Sequence, residues 1–452
     1  TRSDRDWSSD VCSSDLACLQ FGNKPVNTAP GIRIGRYSAR TAGGGILSTA
    51  LLGNRLVVAN GAVRDFTVQY ELPVNQTATD RGKGFFDFYN AGCYLGNVGW
   101  TFLRDSENAS RSHAFTVVAP AGWTTVTPWG VGHEPSGIRD SNRFYEATYV
   151  SGNVEFREEN IGGTVERIVL DRSFSADERR QLFANGFRIY RFVKTGFGAP
   201  GPPAHLSVFV KALENGYWQH GNESGPSHAE PIRSLRFAWD VQEHRVFHTY
   251  NCFPPTGLSW TSTWLEEGPN MYCSELVLMH LRQADPFRKL RSIFRDKYLP
   301  GRARYDISLA GNTRDRRNWE REEYLTYYKG TLLAFLLDRE IRLASKGKGT
   351  IGEVHRRLYA RFGNRNGRIT DAEFIRYCTT VAGKDLSPFF TRYVYGTAAL
   401  PLDALLADPD RDGLCTAVEE LLGTDPMKKD TDGDGIDDMQ AYLTGKVTLD
   451  RW

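Results

Sequence analysis

The chain has 452 residues, of which 40% are apolar and 12% aromatic, and its formal net charge at pH 7 is +2. This composition is typical of a globular protein with two or three domains, and it excludes a disordered or fibrous chain. The near balance of 56 basic and 54 acidic residues gives no sign of nucleic-acid binding. No stretch approaches the roughly 20 consecutive apolar residues of a membrane-spanning helix, so no transmembrane segment is expected.

The beginning of the chain carries no information about the fold. Residues 6–16 read DWSSDVCSSDL, which looks like one translated frame of a sequencing-adapter oligonucleotide. We therefore treat residues 1–16 as an artefact. Because it stands where a signal peptide would be, the true N-terminus cannot be read from this sequence.

The region from about residue 30 to 170 has the two-residue period of half-buried strands. Apolar residues alternate with polar ones at 66–72, and short runs at 154–156 and 165–170 continue the pattern between turn residues. We predict a β-sandwich-like N-terminal domain over residues 17–198.

The pattern becomes helical further along the chain. A first helix, capped by Ser175 and Glu178, is expected to end at Asn185-Gly186. Beyond a Gly/Pro-rich stretch at 198–203, the sequence predicts a mixed and then mainly α-helical domain over 199–400. The whole chain is thus expected to be an α+β multidomain protein. Its later helices are predicted near 232–250, 262–282, 327–345, 350–362 and 371–382.

The central chemical signal is a pair of histidines followed by a glutamate. His244 and His248 are four residues apart, so both imidazoles lie on one face of a helix, and Glu267 follows within another helical segment. Two histidines and one carboxylate, with a fourth position open, are the ligand set of a catalytic zinc ion. Taken alone, a histidine pair at this spacing is a weak signal, because helical histidines four residues apart are more often surface or packing residues than metal ligands.

Three spaced motifs make the chain resemble the glycyl aminopeptidase family of gluzincin (thermolysin-like) zinc metallopeptidases over about residues 60–400. Residues 244–251 read HRVFHTYN where the family has H-E-x-F-H-x-W-N, and residues 264–268 match W-x-x-E-G. Residues 327–330 match the family's Y-x-K-G helix. The resemblance implies a thermolysin-like domain with one Zn²⁺ held by His244, His248 and Glu267, and Tyr327 as hydrogen-bond donor to the oxyanion.

Two positions depart from the family pattern. The family's general base is the glutamate after the first histidine, and here Arg245 replaces it; a guanidinium cannot accept a proton. Glu243 is turned to the other flank of the helix by one residue step of roughly 100°. The glutamate that anchors a substrate's α-amine is matched by Gln219, which lacks the charge, with Glu223 as a nearby alternative.

The region 401–452 is rich in aspartate and glycine. Asp408, Asp410, Asp412, the carbonyl of Leu414 and Glu419 stand at positions 1, 3, 5, 7 and 12 of a calcium loop. The corresponding positions of a second loop hold Asp430, Asp432, Asp434, Ile436 and, at position 9, Asp438. This second loop has Ala441 at position 12, so it is weaker or is completed by a neighbour such as Asp425. The alternative is an acidic, solvated tail.

These loops resemble bacterial thrombospondin type 3 repeats, which implies one or two bound Ca²⁺ ions. Extracellular calcium modules bind at about 10⁻⁴–10⁻³ M, so such sites would be empty in the cytosol. We therefore expect an extracellular location or one in a bacterial envelope, with the tail as a stabiliser or as a tether to the cell surface.

Three functions remain open from the sequence. The first is a zinc-binding, aminopeptidase-like protein whose catalysis is impaired or altered by Arg245. The second is an active metalloaminopeptidase with a non-standard base, acting on the N-termini of peptides or proteins. The third is a pseudoenzyme, a non-catalytic protein that uses the peptidase scaffold for calcium-dependent interactions at a surface.

Overall fold

The described part of the chain forms two compact units that alternate along the sequence. One unit comprises Thr1–Glu158, Val165–Ala176 and Ala204–Arg233, and the other comprises Glu159–Thr164, Asp177–Pro203 and Ser234–Trp452. The structure is a computed structural model, and it describes residues 16–20, 35–52, 55–61, 63, 65–71, 88–89, 93–97, 104–105, 117–132, 147–198, 201–211, 227–232, 234–251, 258–305, 307–309, 318–363, 368–449 and 452.

The first unit is built from strands. Two of its sheets are antiparallel, with the orders β5-β2-β3-β4-β1-β8 and β10-β9-β11-β7-β6. Their strands are Leu16–Gln20 (β1), Tyr37–Thr41 (β2), Ile46–Leu52 (β3), Arg55–Ala59 (β4), Phe66–Tyr70 (β5), Phe88–Tyr89 (β6), Cys93–Asn97 (β7), Arg104–Asp105 (β8), Thr124–Thr127 (β9) and Gly130–Val131 (β10), with Thr148–Gly152 (β11).

A third sheet has the order β12-β13-β14-β15. Its strands are Val154–Ile161 (β12), Thr164–Asp171 (β13), Ala204–Lys211 (β14) and Ser227–Ile232 (β15), and the last three run parallel. Nearly every residue of β13 and β14 is buried, as expected for parallel strands. Apolar side chains from β7, β9 and β11 pack with those of β12, β13 and β14 in one core cluster.

The second unit is mainly helical. Its α-helices are Ala176–Phe197 (α1), Leu235–Asn251 (α2), Trp264–His280 (α3), Arg288–Ser292 (α4), Leu299–Tyr305 (α5), Trp319–Glu323 (α6), Gly330–Ala344 (α7), Ile351–Phe362 (α8), Asp371–Ala382 (α9), Ser387–Tyr393 (α10), Thr416–Leu422 (α11) and Asp438–Thr444 (α12). Two π-helical stretches lie between consecutive α-helices: Ile293–Tyr298 joins α4 to α5, and Tyr324–Lys329 joins α6 to α7.

Helix α1 is longer than the sequence predicted. Asn185-Gly186 does not end it, because Gly186 is buried inside the helix and its carbonyl oxygen accepts a hydrogen bond from Gln242 Nε2 at 3.2 Å. Beyond this point Tyr190 and Phe197 continue the buried face. Tertiary packing here outweighs the low helix propensity of glycine.

The predicted fold class is confirmed at the level of a mixed α+β, multidomain chain with N-terminal sheets and a helical C-terminal region. Among the described residues, no helix combines the length and apolar composition that crossing a lipid bilayer requires.

Candidate metal centre

Two neighbouring helices of the second unit bring the three predicted zinc ligands together. His244 and His248 lie one turn apart on α2, and Glu267 lies on α3. The two Nε2 atoms are 3.0 Å apart. Glu267 Oε2 is 3.2 Å from His248 Nε2 and 3.7 Å from His244 Nε2. Three potential ligand atoms therefore converge on one small volume.

The chemistry and spacing of these donor atoms fit a zinc ion. Tetrahedral zinc with bonds of about 2.0–2.1 Å sets neighbouring donors roughly 3.3–3.4 Å apart. The observed separations of 3.0, 3.2 and 3.7 Å lie on both sides of that value. His248 is buried, whereas 23% of the His244 side chain is exposed, so solvent reaches the centre beside His244.

Two buried asparagines hold α3 in register with α2. Asn251 Nδ2 donates to the carbonyl oxygens of Leu265 at 2.8 Å and Glu266 at 3.1 Å, just before the carboxylate ligand. Asn270 Nδ2 donates to the carbonyl oxygen of His244 at 3.1 Å. The sequence reasoning missed both positioning roles. Asn251 closes the motif that begins at His244, which was a usable signal, whereas Asn270 had none.

The two motif glycines explain how a third helix meets the centre. Gly268 follows the ligand Glu267, and Gly330 closes the Tyr327 motif at the start of α7. A Cβ atom on Gly268 would lie 2.6 Å from the carbonyl carbon of Gly330. The backbones are therefore in direct contact, which only glycine at position 268 permits.

Tyr327 lies in the π-helical stretch that leads into this contact. The stretch packs against α3, and Tyr327 is partly buried, with its ring 6.4 Å from that of Trp319. Thr331 Oγ1 donates to the carbonyl oxygen of Tyr327. Single π-helical turns are common at functional sites. The structure thus places the oxyanion candidate on an element adjoining the helix of Glu267.

Charged neighbours of the ligands face different surroundings. Arg245 is buried, with 6% of its surface exposed. Glu243 is completely buried beside Asp240 and Lys289. Burial, reinforced by the Asp240 carboxylate, raises the pKa of Glu243 well above its ordinary value. Its complete burial on the flank that faces Asp240 keeps this carboxyl group away from a substrate, so it does not take the place of the base. Gln219 and Glu223 lie outside the described residues.

The two predicted calcium loops share one backbone geometry. In the first loop, Asp408 accepts hydrogen bonds from the amides of Arg411 and Gly413. In the second, Asp430 accepts from those of Gly433 and Gly435. Gly413 and Gly435 both have positive φ, of 107° and 90°. Local sequence therefore builds equivalent loops, as the shared spacing predicts.

The carboxylates of the two loops form three spatial groups, two within single loops and one that combines residues of both loops. Asp408, Asp410 and Asp412 form one group, and Asp430, Asp432 and Asp434 form another. A third group joins Asp412 and Glu419 of the first loop to Asp438, at position 9 of the second loop. The residues at position 7 of the two loops differ in exposure: Leu414 is buried, whereas Ile436 is exposed.

Burial of Glu419 makes this third group electrostatically unusual. Burial and, after it, the neighbouring carboxylates of Asp410, Asp412 and Asp438 together raise the pKa of Glu419 to about 8. A carboxyl group in this position holds its proton at neutral pH unless a cation neutralises the cluster. Sequence reasoning assigned Asp438 to the second loop and missed this arrangement.

Comparisons with known proteins bear on the fold. No protein-family model matches the chain, and no curated protein matches it either. Among solved structures it resembles an aminopeptidase N family protein from Idiomarina loihiensis, at a TM-score of 0.67 and 18% identity over 85% of this chain and 72% of that one. It also resembles a two-domain M1 zinc metallopeptidase variant bound to L-arginine, at a TM-score of 0.50 and 15% identity over 86% and 88%. The chain therefore shares the fold of these metallopeptidases.

Proposed function

We propose that this chain is a zinc-binding protein of the aminopeptidase-like, gluzincin type. The observation that carries the proposal is the convergence of His244, His248 and Glu267 within one small, largely buried volume. A zinc ion held there supplies a Lewis acid for a substrate carbonyl. The fold shared with M1 metallopeptidases supports the same assignment, with the N-terminus of a peptide or protein as substrate.

Catalysis by this centre is impaired or altered in our proposal. Arg245 occupies the position from which the family's base acts, and a guanidinium stays protonated at any working pH. Glu243 does not replace the base, because it is buried on the flank that faces Asp240. Tyr327 can still donate to an oxyanion, so binding and polarisation survive while proton abstraction is lost. Losing a general base costs about 10²–10⁴-fold in rate.

The test restores the base. Arg245→Glu should raise the turnover of glycyl and alanyl arylamides by about 10²-fold or more, since it supplies a proton acceptor at the required position. Arg245→Gln is the matched control: it removes the positive charge without adding a base, and it should remain close to wild type. Wild-type turnover equal to that of Arg245→Glu would instead support an active enzyme with a non-standard base.

Metal analysis tests the centre independently of activity. Purified wild-type protein should contain about one zinc per chain, and His248→Ala should lose it, because the remaining histidine and carboxylate bind zinc weakly. Asn270→Ala should retain zinc with reduced affinity, since it removes only a contact that positions His244. Wild-type protein that takes up no zinc under any loading condition would refute the proposal.

The acidic loops favour a further proposal, calcium binding by a protein exported from the cytosol. The observation behind it is the pair of equivalent loops with convergent carboxylates. Calcium then acts as a stabiliser of the tail, which serves as a tether or as an interaction surface. Titration of chelator-treated protein with CaCl₂ tests it; no binding at 10 mM Ca²⁺, well above the roughly millimolar range of extracellular modules, would refute it.

A further inference from the structure

A cluster of three carboxylates, from Asp412, Glu419 and Asp438, contains residues of both acidic loops. Asp412 belongs to the first loop, Glu419 to α11, and Asp438 to the first turn of α12. One oxygen atom from each lies within 4.8 Å of the other two. Residues separated by up to 26 positions thus share one small volume.

Burial distinguishes this group from an ordinary acidic surface. Glu419 is fully buried and Asp438 is 4% exposed. Among the described residues, no hydrogen-bond donor reaches Glu419 Oε2, although this atom is buried within the cluster. A buried carboxylate oxygen without a donor is costly, and a cation at this position removes the cost.

Hydrogen bonds connect the two loops directly. The amide of Met439, in the first turn of α12, donates to Asp412 Oδ2 at 3.1 Å. Lys429 Nζ donates to the carbonyl oxygen of Arg411 at 3.0 Å. Asp438 itself is held by Thr431, whose hydroxyl donates to its Oδ2 at 2.6 Å. Asp438 therefore faces the first loop in a defined position.

The second loop has a different counter-charge. The ammonium group of Lys446, two residues beyond α12, lies 2.6 Å from Asp432 Oδ2 and also contacts Asp434. The lysine therefore supplies a positive charge to the same carboxylates that would bind a second ion.

We propose that the two loops build a single Ca²⁺ site, to which Asp438 contributes from position 9 of the second loop, while Lys446 neutralises Asp432 and Asp434 in place of a second ion. Five carboxylates, from Asp408, Asp410, Asp412, Glu419 and Asp438, offer the all-oxygen ligand set that calcium prefers. This inference rests on the proposed calcium binding and specifies its stoichiometry and ligands.

Isothermal titration of the calcium-free, full-length protein with CaCl₂ tests the assignment. Wild type should bind one Ca²⁺ per chain. Asp438→Asn should weaken binding about tenfold or more, because it removes a charged ligand. Asp434→Asn is the matched control, and its affinity should stay within about threefold of wild type, since Asp434 belongs to the other group.

A gain of binding tests the role of the lysine. Lys446→Gln should raise the stoichiometry from one to two, because it releases Asp432 and Asp434. The melting temperature, measured by circular dichroism, distinguishes a loss of calcium binding in Asp438→Asn from unfolding. Without calcium, the variant should melt at or above the temperature of wild type, because the substitution removes one charge from a cluster of like charges.

The outcomes separate this inference from the broader calcium proposal. Two ions bound by wild type, or unchanged affinity in Asp438→Asn, would overturn the shared site and leave calcium binding intact. A stoichiometry of one in Lys446→Gln would overturn the role of the lysine. No calcium binding by wild type would overturn both.

Discussion

At the scale of single residues, the interior of the helical unit carries unusual acid–base groups close to the metal helices. Glu275, on α3, is fully buried. The pKa of Glu275 is raised from 4.5 to about 7, mainly by burial; this net value includes the lowering by Lys289 and Arg236 and the smaller rise due to Asp240. Because the folded state binds this proton more tightly than the unfolded chain, the stabilisation is complete below pH 4.5 and is lost as the pH rises through 7.

Glu275→Gln should remove this pH dependence. We expect the variant to be more stable than wild type above pH 7, by up to roughly 3 kcal/mol, because a neutral amide avoids burying a charge. Urea denaturation at several pH values from 4.5 to 8 measures the difference. The buried His355, whose pKa burial lowers to about 4, acts in the opposite direction, so only the difference between the two proteins is informative.

Glu340→Gln, at a partly exposed position of α7, is the matched control, and its stability should stay within about 0.5 kcal/mol of wild type because the side chain keeps contact with solvent. If the stability of Glu275→Gln relative to wild type is the same at pH 5 and pH 8, the proposed protonation of Glu275 is wrong.

At the scale of elements, the contact between α3 and α7 links the carboxylate ligand to the tyrosine motif. The requirement for glycine is unequal on its two sides. A Cβ atom at position 268 would meet the carbonyl carbon and oxygen of Gly330 at 2.6 and 2.7 Å. A Cβ atom at position 330 would be 3.3 Å from the carbonyl oxygen of Leu325 and 3.5 Å from Gly268 Cα. Only the first change forces the two backbones apart.

Gly268→Ala should therefore destabilise the helical unit by about 1–3 kcal/mol, as overpacking does, and should also weaken zinc binding through the neighbouring Glu267. Gly330→Ala is the matched control: its small strain is offset by the roughly 1 kcal/mol that alanine gains over glycine in a helix. Urea denaturation and zinc titration of both variants measure the contrast. Equal losses in the two would show that the helices adjust to either side chain.

At the scale of the whole molecule, features that depend on local sequence could be predicted, whereas features that depend on tertiary contacts could not. The histidine pair, the later helices and both acidic loops depend on residues near one another in sequence, and the structure places them accordingly. The predicted end of α1 at Asn185-Gly186 was wrong, because Gly186 is buried and its carbonyl oxygen accepts a hydrogen bond from Gln242 on another helix. The grouping of Asp438 with Glu419 could not be predicted, because it depends on how α11 and α12 pack.

A contact between residues distant in sequence also stabilises α2, the helix that carries His244 and His248. Trp452 is buried, and its ring lies 5.3 Å from that of Phe247, the residue just before the ligand His248. Its Nε1 donates to the carbonyl oxygen of Phe192 at 3.2 Å. A Cβ atom on Gly196 would overlap this indole, so α1 accommodates the ring only through a glycine.

Trp452→Ala should destabilise the helical unit by about 3–5 kcal/mol, because it leaves a cavity in an aromatic core. The affinity for zinc should fall as well, since Phe247 loses a packing partner while it holds the helix of His244 and His248. Circular dichroism during urea denaturation and zinc titration measure the two effects. Trp319→Ala is the matched control: that indole is 59% exposed, so its loss should change stability by no more than about 0.5 kcal/mol. Equal stability of the two variants would mean that Trp452 does not belong to this core.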